Sequence, residues 1–230
     1  MNWKARVRYL IPPRIMNGIL LQFPFLYRLG PICYETDLAV NNGIAELLGQ
    51  LEMTDEIEGN IIECGSSLCG SSIIMANYLR SKGLRKLIYA CDSFSGFDLD
   101  ELAKEREGGL TKATDNAFTL TSYEYVRKKV SRLGVADIVI PVRGLFRDTL
   151  PQIQSKYSFA FIDCDLKEST LYCAQTVWAN LMPNGRIVFD DYTCKEFEGA
   201  RLGVNNFLKK CEQGIFEHGL LNRLYYVRKK

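Results

Sequence analysis

Five short, almost unbroken apolar runs constrain this chain more than any other feature: residues 60–63, 86–91, 137–142, 157–162 and 186–189. Runs of that length present no polar face, so the sheet they build must be covered on both sides, which is the pattern of parallel strands joined by helices. The segments between them carry helical periodicity at 70–82, 119–133 and 166–181, and 196–211 follows the fifth run. An α/β fold with a mostly parallel sheet and helices on both faces is the expectation, with residues 220–227 as a closing strand. Upstream, residues 36–51 place Leu38, Val40, Ile44, Leu47, Leu48 and Leu51 on one broad helical face, while Pro12, Pro13, Pro24 and Pro31 interrupt what precedes it. The chain therefore divides into an N-terminal helical extension, residues 1–57, serving as a cover, and a sheet domain, residues 58–230.

Composition narrows the function classes. With 47% hydrophobic residues the 230-residue chain can bury a substantial core. Its 29 Lys plus Arg against 27 Asp plus Glu leave a net charge of +2, which argues against a nucleic-acid or anionic-membrane partner. The most apolar stretch, 15–27, is broken by Asn17, Gly18, Gln22 and Pro24, so no membrane-spanning helix is expected. The basic start (Lys4, Arg6, Arg8, Arg14) lacks a following small-residue cleavage site, and a cytoplasmic location without a secretory signal is expected. Eight cysteines are scattered without a CxxC pair, which reads as reduced, buried thiols. With one histidine, His218, there is no zinc-type cluster, so any metal should be held by oxygen.

In an open parallel sheet, ligands bind beyond the carboxyl ends of the strands. Four of those ends are acidic here: Glu63, Asp92, Asp163 and the pair Asp190-Asp191. The stretch from Glu63 to Ser72 reads as a strand, a small-residue loop and a helix start, a layout that aims backbone N–H groups at an anionic ligand group, although a tight turn needs small residues in any case. Asp92 suits a ribose diol or, equally, a turn cap. Asp163, Asp190 and Asp191 can surround one hard divalent cation, with ordinary turn roles for them and for Asp165 as the other reading. Residues 104–118, with Gly108-Gly109 and little periodicity, are either a lid or a solvated connection.

Together these segments resemble the macrocin O-methyltransferase family, class I methyltransferases that use S-adenosylmethionine (SAM) to modify sugar hydroxyls. The resemblance spans about residues 58–208. It rests on Ile62-Glu63-Cys64-Gly65 with Gly70-Ser71, on 91–97 (Cys-Asp-Ser-Phe-Ser-Gly-Phe), on 144–151 (Gly-Leu-Phe-Arg-Asp-Thr-Leu-Pro), and on Asp163-Cys164-Asp165-Leu166 followed by Asp190-Asp191-Tyr192. Gly199-Ala200-Arg201 with Val204 and Phe207 adds a weaker match. The resemblance implies a Rossmann-like class I methyltransferase fold, with Glu63, Gly65 and Ser71 holding the methionine part of SAM, Asp92 and Ser93 at the ribose, and Phe146 and Arg147 at the adenine. It also implies Mg²⁺ on Asp163, Asp190 and Asp191, a glycosylated or diol-bearing small-molecule acceptor, and possible homo-oligomerisation. Two positions depart from the family pattern: the first loop reads Ser67-Leu68-Cys69-Gly70 in place of a bulky residue and Arg-Gly-Gly, and Lys167 stands where tyrosine is common.

Asp163 is the candidate general base for the acceptor hydroxyl, with His218 as the alternative, and Glu35 or Asp37 would reach the mouth if the N-terminal region folds over it. A catechol-type phenolic O-methyltransferase is the nearest rival. A NAD-dependent oxidoreductase lacks its GxGxxG here, and a non-catalytic SAM-binding protein fits poorly with the acidic set.

Overall fold

The computed structural model describes residues 13–28, 33–39, 42–212 and 214–230. Lys4, Arg6, Arg8, Pro12, Pro31 and Val40, singled out above, lie outside them. The described residues form a seven-stranded sheet in the order β3-β2-β1-β4-β5-β7-β6. Its strands are β1 (Asn60–Cys64), β2 (Ile88–Asp92), β3 (Val139–Arg143), β4 (Tyr157–Ile162), β5 (Leu181–Phe189), β6 (Phe216–Leu220) and β7 (Tyr225–Lys229). The first five are mutually parallel, while β7 runs antiparallel between β5 and β6. This is the expected mostly parallel α/β architecture.

Side-chain alternation splits the core into two layers. Ile61, Phe159, Phe161 and Val188 face a cluster built with Leu47 and Leu51 of α2 (Gly43–Glu52), Ile73 of α3 (Gly70–Lys82) and Val126 of α5 (Tyr123–Arg132). Ile62, Ala160, Ile162 and Ile187 face the other, closed by Cys173 and Val177 of α7 (Lys167–Asn180) and Val204 and Phe207 of α8 (Glu198–Lys210). Before α2 come α1 (Pro13–Gln22) and three 3-10 turns, Pro24–Arg28, Cys33–Glu35 and Asp37–Ala39.

Three sequence expectations are corrected. Residues 220–227 are not one strand: 221–224 form the turn of the β6–β7 hairpin, closed by Leu221 N–H donating to Leu224 O (2.8 Å), so the chain reverses between Leu220 and Tyr225. The helix expected over 36–51 begins only at Gly43, after the separate turn Asp37–Ala39. Residues Leu99–Glu107 form a helix, α4, with its N-cap carboxylate on Asp98, so the segment read as a loop from 104 is helical at its start. Its helical stripe is thin, Leu102 and Glu105 being its buried residues.

β1 and β4 are adjacent, and the chain leaves them toward opposite flanks of the sheet, β2 on one side and β5 on the other. The crevice at that reversal of strand order lies beyond the carboxyl ends of both.

Candidate active site

The strand ladder sets the acidic residues in one row. Gly65 N–H donates to Cys91 O (2.9 Å), Asp163 N–H to Cys64 O (2.8 Å) and Asp190 N–H to Ile162 O (3.0 Å), so the chain continues in register just past β1, β4 and β5. Gly65 adopts φ +92°, and a Cβ there would lie 1.8 Å from Asp163 O. Only glycine allows the two strand ends to touch at that point.

Glu63 is fully buried beneath the loop that follows it, one carboxylate oxygen accepting from the Ser71 hydroxyl and the other from that of Ser72. Burial, opposed by these hydroxyls and helped by the charge of Asp92, pushes its pKa up to about 7. The carboxylate thus anchors the start of α3. Ser72 was not singled out in the sequence, although two consecutive hydroxyls eight and nine residues after a buried acid are the signal for it. Asp92 accepts from Ser67 N–H (2.8 Å) and Phe94 N–H (2.6 Å), one on each oxygen, and burial outweighs these bonds to raise its pKa. Each oxygen keeps a second lone pair for a diol. The Ser93 hydroxyl serves its own turn, donating to Gly96 O and accepting from Ser95 N–H. Phe146 and Arg147 open a short helical turn, α6 (Phe146–Thr149), where Phe146 packs on the second core layer and Arg147 pairs with Asp98 (2.8 Å).

Carboxylate oxygens of Asp163, Asp165 and Asp191 lie within 4.8 Å of one another. Asp165 (φ +60°) and Asp191 (φ +58°) both occupy left-handed backbone, a strain that gathers at functional sites. Burial first, then the charges of Asp190 and Asp191, raise the Asp163 pKa well above the usual carboxylate range. Asp190 is placed differently: Arg223 Nε reaches its Oδ1 (2.9 Å) and Nη2 its Oδ2 (2.6 Å). The same guanidinium pairs with Asp37 (2.7 Å). Arg223 comes from the β6–β7 turn, and nothing in the local sequence points to it. Asp165, by contrast, stands in the Asp-Cys-Asp spacing and was legible only as a turn residue.

The start of α7, immediately after this cluster, is held by α4. Glu105 accepts from Lys167 N–H (2.9 Å) and Glu101 from Ser169 N–H (2.8 Å). Residues on both sides of α4 are tied to the segment following β5 through a Thr111–Phe197 bridge, a bond from Glu198 N–H to Leu110 O (3.1 Å), and the Phe97, Phe118 and Phe197 rings. His218 is not in this row. It lies in β6, its Nδ1 bonded to the Tyr225 hydroxyl. Glu35 points inward to Lys129, whereas Asp37 reaches the acidic row through Arg223.

Chemically, three clustered carboxylates are hard donors suited to Mg²⁺. The loop 65–70, with glycines at both ends and N–H groups at the start of α3, is suited to close approach by a ligand. Among the described residues no helix is long and apolar enough to cross a membrane.

Residues 44–217 match the family described as Macrocin-O-methyltransferase (TylF). A relative from Streptomyces olivaceus, 8-demethyl-8-(2,3-dimethoxy-alpha-L-rhamnosyl)-tetracenomycin-C 4'-O-methyltransferase, is 32% identical over 177 residues, covering 71% of this chain and 67% of the relative. The O-methyltransferase NovP superposes with a TM-score of 0.69 at 23% identity over 82% of this chain and 78% of its own. An O-methyltransferase from Bacillus cereus in complex with SAH gives a TM-score of 0.59 at 17% identity, covering 99% and 96%. At these identities the two structures speak to the fold.

Proposed function

The chain belongs to the macrocin O-methyltransferase family and is an O-methyltransferase; from that premise we propose that it moves the methyl group of SAM to a sugar hydroxyl of a glycosylated small molecule, with Mg²⁺ at the acidic row. The observation that carries the sugar acceptor is the Streptomyces relative, whose name places its methyl group on a rhamnosyl unit. When bound, SAM supplies an electrophilic methyl carbon, and Mg²⁺ supplies a Lewis acid that fixes a diol and eases its deprotonation.

The chain's own residues do the rest. Glu63, with Ser71 and Ser72, holds the helix start that faces the methionine part, and Gly65 leaves room for it. Asp92 orients the ribose, with Ser93 shaping the turn beside it, while Phe146 and Arg147 border the adenine side. Asp163, Asp165 and Asp191 are the cation's carboxylates in this geometry, and Asp190, assigned as a ligand from the resemblance, would contribute by turning away from Arg223. Asp163 takes the acceptor proton, with Asp165 as the second carboxylate in reach. Residues 1–57 would serve as the acceptor-side cover over the unit formed by 58–230.

The test is product formation with SAM, Mg²⁺ and a panel of rhamnosylated polyketides, free vicinal diols and catechols, read by mass spectrometry. A gain of one methyl on the sugar is expected. Methylation confined to catechols would replace the sugar reading with a phenolic one. In calorimetry, Asp92→Ala should weaken SAM binding at least tenfold, about 1.4 kcal/mol, and Asp163→Ala should abolish Mg²⁺ binding.

A further inference from the structure

Lys129 lies on the buried face of α5 between Val126 and Val130, with its side chain fully inaccessible. A buried ammonium is stable only where its protons meet acceptors. Here it donates to Tyr34 O (2.6 Å) and Leu68 O (2.7 Å) and pairs with Glu35 Oε2 (2.9 Å), whose side chain is 2% exposed. Glu35 Oε2 also accepts from the Tyr125 hydroxyl (2.7 Å), which bonds Tyr27 (2.8 Å). The ammonium lies 5.2 Å from the centre of the Tyr27 ring. One charge therefore ties helix α5 to two segments far away in sequence: the N-terminal stretch at 34–35 and the loop after β1.

The point of attachment on that loop is specific. Leu68 stands between Ser67 (φ +45°) and Cys69 (φ +53°), both in left-handed backbone that costs roughly 1–3 kcal/mol per residue unless its surroundings enforce it. Three side chains enforce it here: Asp92 accepts Ser67 N–H, the Thr121 hydroxyl donates to Ser67 O (3.2 Å), and Lys129 donates to Leu68 O. From the other direction, Gly70 admits the N-terminal segment, since a Cβ there would lie 2.6 Å from Tyr34 O and 2.9 Å from Thr36 Cβ. Two independent contacts thus press residues 34–36 onto the loop assigned to SAM.

We propose that Lys129 is a positioning residue for the cofactor, which sets the Leu68 peptide of the SAM loop and, through Tyr34 and Glu35, makes docking of residues 33–37 and cofactor binding a single coupled equilibrium. The inference rests on the SAM assignment above. Such coupling is reciprocal: a ligand that needs the ordered loop must also favour the docked segment. At its far end the same segment also reaches the acidic row, where Asp37 pairs with the Arg223 that holds Asp190, so the linkage is tested with SAH in the absence of Mg²⁺ and acceptor.

The test combines calorimetric titration of SAH with hydrogen exchange read by mass spectrometry, on wild type, Lys129→Met and Glu35→Gln. In wild type, SAH should bind and slow exchange in peptides covering 33–37 as well as 66–70. Lys129→Met, measured below its melting temperature, should bind SAH at least tenfold more weakly and, at saturating SAH, show no slowing at 33–37. Glu35→Gln keeps an acceptor for Tyr125 but loses the charge, and its effect on SAH must pass through Lys129; about threefold weaker binding is expected. Folded Lys129→Met that binds SAH within twofold of wild type, or equal protection of 33–37 in both, overturns the proposal. If Lys129→Met does not fold, unchanged SAH affinity in Glu35→Gln overturns it. Wild type that fails to bind SAH removes the cofactor reading and this proposal together, whereas wild-type binding with unaffected variants removes this proposal alone.

Discussion

Glu63 shows what a single residue can reveal about pH. Its pKa rises from an ordinary 4.5 to about 7 because it is buried, despite two hydroxyl donors. A carboxyl that is harder to ionise in the folded state than in the unfolded one makes folding take up a proton. Its contribution therefore does not change below 4.5, falls as pH rises from 4.5 to 7, and is fully lost above that. The shift corresponds to roughly 3 kcal/mol at about 1.4 kcal/mol per pH unit. Glu63→Gln keeps groups that can bond Ser71 and Ser72 and lacks the titration. The difference in denaturant stability, variant minus wild type, should grow between pH 4.5 and 7 and level off above; a flat difference would contradict the assignment. At this scale Glu63, Asp92 and Asp163 were legible because acids at strand ends stand out against apolar runs. Lys129 was not singled out, although its place between Val126 and Val130 on the buried face of an amphipathic helix is the signal for it. Arg223 was not legible, since its partners Asp190 and Asp37 lie 33 and 186 residues away.

Between elements, the fold depends on close approach of α7 and α8. A Cβ on Gly203 would lie 2.6 Å from Lys167 O and 2.8 Å from Thr170 Cβ, and one on Gly199 would lie 2.2 Å from Glu105 Oε2. The two glycines lie one helical turn apart: Gly203 lets α8 press on the start of α7, which follows Asp163 and Asp165 directly, and Gly199 lets it press on Glu105 of α4, which holds that same start through Lys167 N–H. Gly203→Val should push that turn outward, lowering stability by about 1–3 kcal/mol as overpacking does and weakening Mg²⁺ binding with it. Lost stability with unchanged Mg²⁺ affinity would show that the cluster does not depend on this packing. Helix α3 matched its expected bounds because Gly70 and the left-handed C-cap Gly83 bracket its apolar stretch from Ile73 to Leu79, and β4 because all six of its residues are buried. The β6–β7 hairpin and α4 escaped because hairpin edges and short charged helices take their order from what they dock against.

For the whole molecule, Asp163, Asp165 and Asp191 bring like charges together, and burial raises the pKa of both Asp163 and Asp165. A cation that binds only the folded arrangement stabilises it by mass action, about 2.7 kcal/mol at one hundred times Kd. For a chain of this size that is a rise in Tm of roughly 5–10 °C. Scanning calorimetry with and without Mg²⁺ should show this rise in wild type and none in Asp191→Asn; equal responses would place the cation elsewhere.

The linear chain determined the five parallel strands, their burial on both faces, and the acids at their ends, because hydrophobic period and strand-end position are local properties written over five to fifteen residues. It also carried the family motifs from Glu63 to Asp191. Tertiary structure decided which carboxylates converge, placing Asp165 in the cluster and pairing Asp190 with Arg223. It likewise set Glu35 on Lys129 and moved His218 to the far edge of the sheet. Those outcomes depend on distances between segments as much as 186 residues apart, and they are settled only when the sheet and its two helical layers have closed.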